Sequence, residues 1–137
     1  MNKTMIIIIA VVVLLAIVGG AVFFLVLNRS DEPDPVVYME YELGELYSNI
    51  ADERKILKFN VVIEYTDEVI LEMLNKNKSA ITNSIYEIFR RKTYEQTQSP
   101  SFQERTRDEI KELIIELLES DAETITNVYF LQFIIQG

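Results

Sequence analysis

The chain divides in two by its pattern of apolar and polar positions. Met5 through Leu27 is an unbroken apolar run without a charged side chain, whereas beyond Pro35 apolar and polar residues alternate with the periods of strands and amphipathic helices. As a helix the run would span roughly 34 Å, slightly more than a hydrocarbon core of about 30 Å. One crossing with some tilt is expected, with Met5, Ile6, Ala16, Gly20 and Leu27 among the anchor residues. A cleaved signal peptide would turn polar after an apolar stretch of about 7 to 15 residues; here Val22 to Leu27 continue past Gly19-Gly20-Ala21. Ala16 and Gly20 also have the small-xxx-small spacing that lets helix backbones approach in lipid, although such residues are common in membrane helices anyway.

Asn28 to Pro35 collects polar residues, carboxylates and two prolines and reads as an extended tether. Its carboxylates lack the glycine and distal glutamate of an EF-hand loop. Lys3 and Arg29 leave the positive-inside comparison nearly balanced, and the brevity of the leading tail favours an inside N-terminus. The expected organisation is a cytoplasmic tail at 1–4, a transmembrane helix at 5–27, a linker at 28–35 and an extracytoplasmic domain at 36–137.

Within that domain, Val37, Met39, Tyr41 and Leu43 alternate with polar neighbours, predicting a strand that stops at a turn at Gly44. Leu57, Phe59, Val61, Ile63 and Tyr65 form a period-two stripe with Lys58, Asn60 and Glu64 opposite, the strongest strand signal in the chain. Thr66 can cap a helix with Asp67 and Glu68 in its first turn. Val69, Ile70, Met73, Leu74, then Ile81, Ile85, Ile88 and Phe89, recur at helical spacing, as one bent helix or two. Ser99-Pro100-Ser101 interrupts the periodicity, and Ile110, Leu113, Ile114, Leu117 and Leu118 mark a further, half-buried helix. Ile125 to Gln136 reads as an internal strand, with Tyr129, Leu131, Phe133 and Ile135 on one face and Val128, Phe130 and Ile134 on the other. The order implies an α+β fold, a small sheet with helices packed on one side.

Charge and composition narrow the chemistry. The formal net charge is −9; one of the 13 basic residues, Lys3, precedes the anchor, which leaves 12 against 22 acidic residues and −10 beyond it. Nucleic-acid binding is therefore not expected, the run Arg90-Arg91-Lys92 reading as cations at a helix C-terminus. Cysteine and histidine are both absent, which removes disulfides, zinc-protease motifs, Ser/His/Asp and Cys/His mechanisms and histidine pH switches. Ser79 and Ser84 have no histidine to activate them. Carboxylates lie mostly on predicted polar faces, Glu40 and Glu42 among them, so no catalytic, cofactor or metal residue is expected. Tyr38, Tyr41, Tyr47 and Tyr129 are candidates for an interaction surface, because tyrosine suits both core and interface.

Several motifs in order resemble the flagellar basal-body-associated FliL family. Tyr41-Glu42-Leu43-Gly44-Glu45 followed by Ser48-Asn49 is similar to its Leu-Gly segment, and Leu57-Lys58-Phe59-Asn60-Val61-Val62-Ile63-Glu64 to its hydrophobic strand ending in a carboxylate. Ile81 to Lys92 resembles the helix before its short Ser/Thr-containing connector, and Val128-Tyr129-Phe130-Leu131-Gln132-Phe133-Ile134-Ile135-Gln136 its Val-Tyr-Phe-x-x-Phe-Val-x-Gln ending. Phe102 and Gln103 stand where the family often has a glycine, and Glu116 where it has an asparagine. The resemblance implies a bacterial inner-membrane protein with a stomatin-like domain outside the membrane. It further implies a non-enzymatic, ring-forming homo-oligomeric scaffold, partnered with stator and basal-body proteins, that supports torque, swimming or swarming and chemotaxis. A membrane-tethered sensor or ligand-binding module is the alternative drawn from the residues.

Overall fold

The computed structural model describes residues 2–29, 34–52 and 54–137, in two compact units that divide between Pro35 and Val36. The first holds α1, Lys3–Leu27, which buries none of its residues. Its apolar surface is continuous all round, as suits a helix surrounded by lipid, and its length and composition allow it to cross a membrane. At 25 residues it is about 37 Å long. Of the expected tether, Asp31 and Glu32 lie outside the described residues, while Asn28, Arg29, Asp34 and Pro35 are exposed.

The second unit runs β1 (Met39–Asn49), β2 (Ile56–Tyr65), α2 (Glu68–Arg90), α3 (Tyr94–Thr97), α4 (Phe102–Leu117) and β3 (Ile125–Gln136). Its sheet is antiparallel in the order β1-β2-β3. The β2 stripe is buried along its length, so this strand forms the centre. β3 lies at an edge, a correction to its reading as internal; its apolar residues on both faces do not require two neighbouring strands.

β1 does not stop at Gly44. A bulge between Glu42 and Glu45 sets Leu43 and Gly44 against Val61 alone, with Gly44 at φ +90, a conformation that glycine adopts without steric cost. The extra residue exchanges the faces: Tyr41 and Leu43 turn toward the core before it, Leu46 and Ser48 after it. β3 carries two further irregularities, which leave Thr126 and Leu131 as extra residues. Tyr129 and Leu131 therefore point away from the helices while Phe133 and Ile135 join the core. The sequence expectation had placed all four on one face.

Residues 68–90 form one helix. Asp67, not Thr66, caps it, accepting from Val69 N at 3.0 Å; the Thr66 hydroxyl instead donates to Glu123 O and its amide to Thr124 O, pinning the start of α2 to the loop before β3. The short α3, absent from the sequence expectation, is held by a reciprocal capping box between Thr93 and Gln96. α2 packs against β1 and α4 against β3, both on one face of the sheet. Between them Phe89 meets Phe59 at 4.6 Å between ring centroids, Phe133 at 6.1 Å and Phe130 at 6.2 Å. With Ile81, Ile85, Ile110 and Ile114 fully buried alongside, these rings close the core.

Candidate interaction surface

Because α2 and α4 lie on one face, the other face of the sheet is uncovered within the second unit. It presents Glu40, Glu42, Glu45 and Tyr47 from β1, Lys58, Asn60, Val62 and Glu64 from β2, and Asn127, Tyr129, Leu131 and Ile134 from β3. Side chains on this face join one another across the strands. Asn60 donates to Glu42, Thr126 donates to Glu64 at 2.7 Å, and the Tyr129 hydroxyl donates to Glu64 at 3.3 Å while accepting from Asn127 at 3.0 Å. Lys58 pairs with Glu45 at 2.5 Å and lies over the Tyr47 ring at 5.8 Å. The hydrogen bond to Glu45 raises the Lys58 pKa, more than desolvation lowers it. Val62, flanked by Glu42 and Tyr129, is buried under this layer.

The four candidate tyrosines do not form one patch. Tyr47 and Tyr129 share the uncovered face, whereas Tyr41 turns to the helix side and donates to Asn75 Oδ1 at 3.0 Å. Tyr38 precedes β1 and is exposed together with Val36 and Val37. Sequence reasoning missed Leu131 and Ile134 as surface residues of the same face as Tyr47. No glycine marks the bulge at Leu131, so nothing local signals the change of face.

Elsewhere, an open groove of about 370 Å³ between β1 and α2 is lined by Leu43, Leu46, Lys78, Ser79, Thr82, Asn83 and Tyr86. A second depression of about 240 Å³ has Lys92, Gln96, Arg105, Thr106 and Glu109 in its walls, with Lys92 already paired to Glu109 at 2.8 Å. Among the described residues no group of three or more acidic side chains is arranged to hold a metal ion. Ala16 and Gly20 sit in α1, where nothing approaches the position a Gly20 side chain would fill. Met5, Ile6 and Leu27 are exposed along the same helix.

The motifs that resemble a known family now have structural places: Leu43-Gly44 makes the β1 bulge, and Val128 to Gln136 makes the edge strand carrying Tyr129 and Leu131. Among curated proteins none matches the chain. A family model described as flagellar basal body-associated protein FliL matches residues 40–136, from the second residue of β1 to the last of β3. The chain belongs to the flagellar basal body-associated FliL family.

Proposed function

We propose that this protein is a non-enzymatic accessory of the flagellar motor that associates with stator units, as a ring of copies, and supports torque during swimming or swarming. In this reading α1 holds the chain in the inner membrane with residues 1–4 inside and the domain at 36–137 outside. Binding to the stator shifts it toward its active arrangement, a change of population with no reaction performed. Family membership over nearly the whole folded domain is the observation that carries the reading. A chain that couples to its neighbours through surfaces also accords with an uncovered sheet face and a domain without histidine or cysteine. Deletion should leave flagella assembled while lowering torque or swarming; wild-type torque at every load would reject the role.

A second reading, a membrane-tethered ligand-binding module, draws on the open groove beside Leu43 and Tyr86. Saturable thermal stabilisation of the full-length protein by one small molecule would favour it, since a ligand that binds only the folded state raises stability by mass action.

A further inference from the structure

The uncovered sheet face is graded along its strands. At one end Glu40, Glu42 and Glu64 stand together, and no Lys or Arg among the described residues pairs with any of them. Glu40 and Glu64 are direct cross-strand partners. Lys58 brings a positive charge between Tyr47 and Ile134, but Glu45 already holds it. Asn60 Oδ1, one row nearer the carboxylates on the same strand, is shielded from water and has no donor. Toward the other end the surface turns apolar: Leu131 is 65% exposed, Tyr47 55%, Ile56 47% and Ile134 41%. Outward from Asn60 the ladder runs through one row in which Tyr47 and Ile134 flank Lys58, and then through the row of Ile56. Contiguous exposed apolar residues bordered by polar ones mark an interaction site.

The geometry points to this face as the docking surface for a basic amphipathic segment of a stator protein, its Lys or Arg residues over Glu40, Glu42 and Glu64 and its apolar residues over Tyr47, Leu131 and Ile134. The assignment rests on the stator association proposed above. Charge complementarity decides the occupant. Three carboxylates without cations repel the same three on a second copy brought face to face, and repel an anionic lipid surface, whereas cationic side chains gain at the carboxylates. The apolar end excludes water around those contacts and supplies most of the hold, as central apolar residues do in protein interfaces.

The test is photocrosslinking in motile cells with the full-length protein, placing a photoreactive phenylalanine at position 131 or 134 on the face and at 69 or 71 on α2, where Val69 and Leu71 are also exposed. Adducts with a stator protein are expected from 131 and 134 and not from 69 and 71, mapping to a stretch that carries Lys or Arg. Glu40→Lys should lower their yield roughly threefold or more by placing like charge against the partner. Since that change also puts a cation opposite Glu64, misfolding does not account for the loss, and membrane levels and a thermal midpoint no lower than the parent's confirm it. Stator adducts from 69 or 71 alone would overturn the face and leave the stator reading standing. Adducts from 131 with a second copy or with lipid would also overturn it, as would a yield unmoved by Glu40→Lys. No stator adduct from any of the four positions, with torque unaffected by deletion, would remove the underlying reading itself.

Discussion

Glu40 on β1 lies directly across the ladder from Glu64 on β2, two carboxylates paired where a sheet ordinarily places opposite charges or apolar contacts. Glu64 is steadied by Thr126 and Tyr129, but these neutral donors leave its charge in place. Glu40→Lys should therefore raise stability by a few tenths of a kcal/mol. Thermal denaturation of the full-length protein in a lipid nanodisc checks this: the midpoint should rise, and the gain should shrink at high salt.

Glu119 offers a second stabilising change. It follows α4 with φ 51, its amide donating to Glu116 O and the next amide, of Ser120, to Ile115 O. That is the double hydrogen bond of a Schellman ending, with glutamate where glycine is usual. Glu119→Gly should stabilise by about 0.5–1 kcal/mol, because relief of the left-handed strain exceeds the added flexibility of the unfolded chain. Chemical denaturation gives the measure, and an unchanged or lowered midpoint would contradict it.

Phe89 touches the rings of Phe59, Phe130 and Phe133 and is fully buried. Phe89→Ala opens a cavity where α2 meets the central and edge strands, at a cost of about 3–5 kcal/mol. In a domain of marginal stability the expected outcome is lower protein level in the membrane together with a loss of protection in β2 and β3 amide exchange.

Asp121 organises the loop before β3. Hydrogen bonds from Thr124, its hydroxyl and its amide, and then the amide of Glu123, hold the Asp121 carboxyl below its ordinary pKa. A pKa depressed by folding gives a stabilisation that is fully present above the unfolded value and lost as pH falls through the folded one. Asp121→Asn should thus be less stable than the parent at neutral pH, and the two should converge in acid. Denaturation midpoints followed from pH 7 downward through the carboxylate range show whether they do.

Val13 sits near the middle of α1, exposed like the rest of that helix. Val13→Arg should cost about 2.5–3.5 kcal/mol of insertion free energy. Extraction of membranes at alkaline pH should then release a larger share of the protein than for the parent chain.

The amphipathic elements were legible in sequence because their signal is local. The stripe from Leu57 to Tyr65 and the helical spacing from Ile81 to Phe89 each face one core, and a short peptide contains the whole pattern. The candidate surface was only partly legible. Tyr47 and Tyr129 do share a face, but Tyr41 is turned from it by the bulge at Gly44, and Leu131 is turned onto it by a bulge that no residue type announces.

Residue chemistry by itself determined that this chain has a membrane-length apolar helix, an acidic domain and none of the imidazole or thiol chemistry of common active sites, since these depend on composition and period alone. Tertiary structure decided that β2 is central, that α2 and α4 take the same face, and that Glu40 meets Glu64 on the face that also exposes Leu131. Each of those depends on register between strands distant in the chain, and a single inserted residue in a strand reverses the direction of every side chain that follows it.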